Sequence, residues 1–316
     1  MKKFIALTLL ALFCVVGAKA QLLYQISGNG LKKDSYIIGS YHLASADTVN
    51  HIDGVNMVLN FVDMVCGELD MKDLSSPENV QRLQAAMCLP DGKYISDVLT
   101  AEQMAKLNSC MNDVIGTDFN NPLIYSTMGN MRPMVIAQQL QFFMYFQIEP
   151  DFDPTALMDG YFQKLALEWG KSVMGLESVD EQIAALYGSV SIEEEVADLM
   201  RIAEDPLAVL NEISDLSIAY IREDLEALGE IFMTNCSEEA YDRLLVKRNH
   251  KWMEKMPSIM SEQPTLFVVG AGHLIGEDGV IALLQNAGYS VEAVERPTAY
   301  DFGIMEFDIM FSDDIY

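Results

Sequence analysis

Positive charge is scarce in this 316-residue chain: 20 lysines and arginines stand against 47 aspartates and glutamates, a formal net charge of −27. A surface of that sign repels phosphate backbones and argues against nucleic acid as a partner. It also disfavours anionic membrane faces. Cationic substrates or divalent ions are attracted instead, with plain solubility as the simpler reason for the charge. Long apolar runs are missing beyond the N-terminus, where none reaches the roughly 18 residues of a bilayer span. No transmembrane segment is therefore expected in the mature chain. Cysteines are few, and the spacing of Cys66, Cys88, Cys110 and Cys236 matches no zinc site. In an oxidising compartment Cys88 and Cys110 are candidates to close a loop between two helices, although sequence does not choose among the pairings. No Pro/Ser/Gly linker divides the chain, and half of its residues are hydrophobic. One domain over residues 21–298 with a helical insertion at about 76–169 is the expectation.

What is there begins with Lys2 and Lys3, an apolar run from Phe4 to Gly17, and Ala18-Lys19-Ala20. That is the pattern of a secretory signal peptide, residues 1–20, and implies an exported protein, periplasmic or secreted. Its removal leaves 17 basic groups against 47 acidic ones. Next, "LLYQISGNGLKKDSYIIGSYH" joins two apolar runs across Gly28-Asn29-Gly30, a hairpin signal. A helix is expected over Ile52 to Phe61. Between Ser76 and Trp169 apolar residues recur at three and four spacing, which predicts helices almost throughout. Methionine and phenylalanine are frequent there; core packing explains them more simply than a groove for an apolar ligand. Acidic helical stretches follow and read as solvated faces. The chain then gives strand "TLFVVGAGH", helix "GEDGVIALLQNAG" and strand "YSVEAVE", a βαβ pattern with a glycine stop at Gly288. Residues 299–316 read as an acidic and aromatic tail.

Four apolar runs end alike: "YIIGSYH", "MVCGELD", "VMGLES" and "FVVGAGH". Each closes on a glycine, with His42, Glu68, Glu177 or His273 one to three residues later. Ligand sites of open α/β sheets gather outside the carboxyl ends of the strands, where glycine lets the chain turn sharply or approach a ligand. Two GxxH spacings among four histidines arise by accident in roughly 2% of shuffled chains of this glycine content. The pair, together with Glu68, therefore points to a site, whereas a single strand-end histidine is more often structural.

Two imidazoles and a carboxylate, His42, His273 and Glu68, are an adequate ligand set for a catalytic divalent metal ion. Water on such an ion becomes a nucleophile near neutral pH. Glu177 is then a candidate general base, or a group that steers a histidine. Without a metal the same histidines suit acid–base ester hydrolysis. "KRNHKW" adds Arg248, a fixed cation for a substrate carboxylate or an oxyanion, and Asn249 as a hydrogen-bonding neighbour. Pairing with helix carboxylates accounts equally well for both. His250 is expected to point elsewhere, and His51 has no assigned role.

These segments resemble the TraB/GumN family, which includes the Tiki-type metalloproteases. "IIGSYHL" is similar to its first GxxH segment, "GELD" to its acidic strand end, "GLES" followed by "VDEQ" to its middle segment, and "KRN" to its Arg-Asn helix. "FVVGAGHLIGEDGVIALLQNAGYSVEAV" is similar to its C-terminal signature. A serine stands where threonine often follows the first glycine. The resemblance implies an α/β (α+β) fold with a large helical insertion, related to erythromycin esterase and haem-binding ChaN-like proteins. It also implies a metal-dependent peptidase with Mn, Co or Zn on His42, Glu68 and His273 and a peptide or protein substrate. Two other readings stand beside it. A metal-independent esterase or amidase predicts activity that survives chelation. A non-catalytic peptide- or haem-binding protein predicts stoichiometric binding without turnover.

Overall fold

The computed structural model describes residues 21–294 except 45, 50, 51, 53, 151 and 154–156. The expected leader, His51 and the tail at 299–316 lie outside the described residues. Six strands form one mixed sheet, β1 (Leu23–Gly28), β2 (Ser35–Ser40), β3 (Met64–Gly67), β4 (Ser172–Gly175), β5 (Thr265–Gly270) and β6 (Tyr289–Ala293), in the order β4-β3-β5-β2-β1-β6. With helices covering it and filling its long connections, the fold is α+β.

β1 and β2 form the expected antiparallel hairpin, in which Leu31 N–H donates to the Gly28 carbonyl at 2.9 Å. β2, β5, β3 and β4 run parallel, so their carboxyl ends share one rim. β6 pairs antiparallel with β1 at the far edge. It thus runs in the direction of β5 but lies beyond β2 and β1, so the βαβ unit crosses two strands.

The sheet alternates as a two-sided strand should. Leu266 and Val268 pack on one face with Val58, Leu59 and Phe162. Phe267 and Val269 pack on the other with Trp252, Met256 and Leu284. A third core lies among helices alone, with Leu107, Ile136, Leu140 and Leu199 fully or almost fully buried. Met111, Met144, Phe119 and Phe152 belong to that core, as packing rather than as groove lining.

Between β3 and β4 the chain is helical, with Pro77–Ala86, Ala101–Ile115, Pro133–Ile148 and Met158–Glu168 as its longer pieces. Thr100 and Gln103 form a capping box at the start of Ala101–Ile115, and Gly116 ends that helix in the left-handed region. The helix expected over 52–61 is described from Val55, because Gly54 sits at φ 85°. The apolar run after Pro206 breaks into Pro206–Ile221 and Leu225–Asn235. Glu223 takes φ 56° there, and Asp224 caps the second helix through Ala227 N–H. The stretch before Arg248 also departs from plain α-helix, since Asp242–Val246 is a π turn leading into Lys247–Met253.

All four described cysteines are free. The Cys88–Cys110 bridge does not form: the Cys88 thiol meets the Gln84 carbonyl, while Cys110 is buried against Ile202. Among the described residues no helix is long and apolar enough to cross a membrane.

Candidate functional site

The shared rim brings together Glu68, Glu177 and His273, from the ends of β3, β4 and β5, around Arg248. The Arg248 guanidinium donates to Glu68 Oε2 at 2.5 Å, to Glu177 Oε1 at 2.7 Å and, through Nε, to Glu177 Oε2 at 3.1 Å. Its Nη1 meets the Leu244 carbonyl and His273 Nε2, both at 3.0 Å. Glu68 Oε1 also accepts from the Gly270 backbone N–H at 2.8 Å and stands 3.7 Å from His273 Nε2. Glu177 touches neither histidine. Its side chain is 2% exposed, and Trp252 Nε1 donates to its Oε2 at 3.3 Å.

Asn249 holds the other side of the His273 ring. Its amide donates to the Asp278 carbonyl at 2.8 Å and to the His273 carbonyl at 3.3 Å. That fixes Asn249 Oδ1 as the acceptor 2.6 Å from His273 Nδ1. His273 therefore carries its proton on Nδ1 and keeps a lone pair on Nε2, where Arg248 donates. Trp252 packs against the same imidazole at a tilt of 37°, centroids 4.3 Å apart, and the Arg248 guanidinium carbon lies 4.9 Å from the indole ring centre. Arg248 and Trp252 lie one helical turn apart and so share a face. That spacing is a sequence signal for Trp252, to which sequence reasoning assigned no role. His250 points to Asp278 at the surface, away from this cluster.

The rim glycines serve close packing rather than left-handed turns. A Cβ on Gly67 would stand 2.4 Å from Gln163 Nε2, and one on Gly175 would stand 2.6 Å from the Asp70 backbone nitrogen. Such contacts let the β3 and β4 ends lie side by side, with Glu177 N–H donating to the Glu68 carbonyl at 2.9 Å.

His42 lies past the end of β2 and, with Glu68, lines a cleft of about 750 Å³ that reaches the helix Met158–Glu168. Asp159, in the first turn of that helix, takes His42 Nδ1 at 2.7 Å. Sequence reasoning missed Asp159, whose local pattern is that of any acidic first turn. The His42 side chain is 73% accessible, so solvent reaches the ring although protein crowds the cleft around it.

The electrostatics follow this layout. The Asp159 hydrogen bond leads in pushing His42 up to about 9, against the opposing effect of burial, with the charges of Asp159 and Glu68 adding to it. Burial pulls His273 down to about 3, with the Arg248 charge assisting and Glu68 opposing. Burial by itself would raise Glu68, but the surrounding cations and the Gly270 N–H bring it down to about 2. Because His273 is neutral near pH 7, Arg248 and the protonated His42, rather than His273, are the cations that keep Glu68 ionised.

The donor set fits a divalent ion in its chemistry. Both imidazoles engage Nδ1 with a neighbouring oxygen, the second-shell pattern of metal-binding histidines, and Glu68 is ionised as a ligand must be, whereas His42, held protonated up to about 9 beside Asp159, would have to give up its Nε2 proton to an ion. The spacing is not that of a loaded site, since Arg248 lies against Glu68 and His273. Among the described residues no group of three or more His, Cys, Asp or Glu side chains is close enough to hold an ion.

Comparison with known proteins gives one family: a model described as the TraB/PrgY/gumN family matches residues 22–293. The chain is 23% identical over 306 residues to a protein of Amphimedon queenslandica named Metalloprotease TIKI homolog, covering 81% of this chain and 58% of that one. It is 20% identical over 305 residues to Metalloprotease TIKI2 of Danio rerio, covering 82% of this chain and 58% of that one. The match thus spans a little over half the length of these relatives. No solved structure matches the chain.

Proposed function

The chain belongs to the TraB/PrgY/gumN family, and on that premise we propose that it is an exported hydrolase cutting peptide or protein substrates at the rim of its sheet. The observation that carries this reading is the junction of Glu68, Arg248 and His273, with His42 and Asp159 on the cleft that Glu68 also lines. The family and the names of the relatives support the reaction class. Export rests on the leader pattern at residues 1–20.

In the metal-dependent form His42, Glu68 and His273 would hold a divalent ion, Mn, Co or Zn. When bound, such an ion supplies a water that loses its proton near neutral pH. The chain's own groups prepare the site. Asp159 and Asn249 orient the two imidazoles through Nδ1. Glu177 grips Arg248 by two hydrogen bonds, and Arg248 offsets the charge of Glu68. The metal-independent esterase or amidase has less support. His42 is held protonated up to about 9 and His273 neutral down to about 3, so neither exchanges its proton near neutrality as an efficient general base does.

The test is elemental analysis of the purified mature protein and titration with Mn, Co and Zn, beside His42→Ala and His273→Ala, followed by a peptide-cleavage screen read by mass spectrometry. One ion per chain, lost in both variants together with cleavage, is the expected result. Cleavage that survives chelation rejects the metal-dependent form, and no cleavage of any peptide with the ion bound rejects the hydrolase.

A further inference from the structure

The cleft in front of the rim is selective in its chemistry. Leu69, Met71 and Leu74 line one wall, Leu157 and Tyr161 the other, and His42 and Glu68 border it. Buried Gln163 fastens the walls together. Its Nε2 donates to the Leu69 carbonyl at 2.7 Å, and its Oε1 accepts from Met71 N–H at 3.0 Å. That amide is therefore used by the fold, and the surface left for a ligand between the walls is mainly hydrocarbon. Asp159 in the cleft is engaged with His42, and Asp153, Lys164 and Gln182 are the other polar residues that line it.

Gly160 adds a second, independent observation. It lies inside the helix Met158–Glu168, where glycine weakens a helix relative to alanine. Its backbone does not call for glycine, since its φ is not in the left-handed region. A Cβ there would meet only Met71 Cε, at an ordinary 3.8 Å. What glycine does at this position is leave room between the helix and Met71, in the cleft that leads to Glu68.

We propose that this cleft is the side-chain subsite of the hydrolase and takes a bulky apolar residue, leucine, methionine or phenylalanine, of an extended peptide beside the bond to be cut. The proposal rests on the hydrolase reading above. Apolar walls gain from covering apolar ligand surface, and a charged side chain laid against them loses water that hydrocarbon does not replace.

The experiment uses the mature full chain, loaded with whichever metal supports cleavage, and peptides identical except for one position occupied by Ala, Leu, Phe, Asp or Lys. Cleavage is followed by mass spectrometry, and binding of the same fluorescently labelled peptides by anisotropy. Wild type is expected to favour Leu and Phe over Asp and Lys by at least about tenfold in kcat/KM. Gly160→Phe should fill the cleft and abolish that preference, while Gly160→Ala keeps the wild-type order. Equal melting temperatures of the variants show that the fold is intact.

Equal use of Asp, Lys and Leu peptides by wild type, or an unchanged order in a folded Gly160→Phe protein, overturns the subsite. If no peptide is cleaved but Leu and Phe peptides bind and Gly160→Phe abolishes binding, the hydrolase reading falls and the subsite stands. If peptides are neither cleaved nor bound selectively, the subsite is overturned.

Discussion

Two buried arginine–carboxylate groupings in this molecule differ in the balance of their charges and in their access to solvent. In the helical layer Arg132 faces Glu195, whose side chain is 0% exposed. Arg132 Nε donates to Glu195 Oε1 at 2.8 Å, its Nη2 contacts the same oxygen and the Val190 carbonyl, and Met134 N–H donates to Oε2 at 3.3 Å. One cation meets one anion and both ends are closed by backbone. At the rim one guanidinium meets two carboxylates and an imidazole lone pair. Negative charge is left over, and Glu68 borders a cleft. A balanced, sealed pair is architecture; an unbalanced one beside solvent is poised to receive a cation, and strongly shifted ionisable groups in a cleft are candidates for function.

Removing one partner of the sealed pair is the strongest way to break this comparison. Glu195→Ala leaves Arg132 buried without its anion and is expected to cost about 3–5 kcal/mol, read as a lower urea midpoint. An unchanged midpoint would show that the pair is dispensable and that charge balance does not separate the two groupings.

Acid probes the rim next. The Glu68 carboxyl is depressed from 4.5 to about 2 in the folded protein. A depressed carboxyl contributes stability that is present above its unfolded value and lost as pH falls through its folded value. The contribution is therefore full above about pH 4.5 and disappears toward pH 2, at most about 3 kcal/mol in size. Urea midpoints taken across that window with chelator present should fall more steeply in wild type than in Glu68→Gln. Parallel curves would remove Glu68 from the cluster's electrostatics.

Glu177→Gln gives a smaller and more discriminating effect. It keeps the shape of the side chain but withdraws one of the two anions from Arg248, so a loss of about 1.5–3 kcal/mol is expected from weakened charge-assisted hydrogen bonds. Peptide cleavage should fall by about 10–100-fold, as for other groups that support ligands from behind. A stability cost equal to that of Glu195→Ala with cleavage untouched would make the rim cluster as structural as the helical pair.

The two groupings were also unequally readable in the sequence. Apolar runs closing on glycine marked the rim, because a strand buried on both faces must be apolar along its length and must end where chains crowd. The hairpin, the parallel strands and the gathering of Glu68, Glu177 and His273 follow from that pattern. The physical role of the glycines did not, since the crowding at Gly67 comes from Gln163, nearly a hundred residues later in sequence. The π turn at Asp242–Val246 was hidden because "DRLLV" has ordinary helix propensity, and the extra residue in the turn is a product of tertiary packing. Asp159 left no trace at all. It meets His42 across a separation of 117 residues, and helix periodicity says which way a residue faces but not what it faces.

That long-range contact gives the smallest stability effect and the clearest separation of roles. His42 is accessible, so solvent screens its pair with Asp159, and Asp159→Asn should change stability by less than about 1 kcal/mol. The sign can be checked from His42, whose value is raised from 6.5 to about 9. A raised imidazole contributes stability below about pH 6.5 and loses it as pH climbs through 9, so the small difference between wild type and Asp159→Asn should fade in alkali. In the metal-free variant the His42 titration followed by NMR should move back toward 6.5. With asparagine in place of the carboxylate the ring loses its anionic partner, and cleavage should drop by about 10–100-fold. A site variant that leaves the fold alone while slowing the reaction is the counterpart of Glu195→Ala, which should do the reverse. If Asp159→Asn leaves both the His42 titration and cleavage unchanged, then His42 does not depend on the helix Met158–Glu168, and the functional grouping ends at the strand ends.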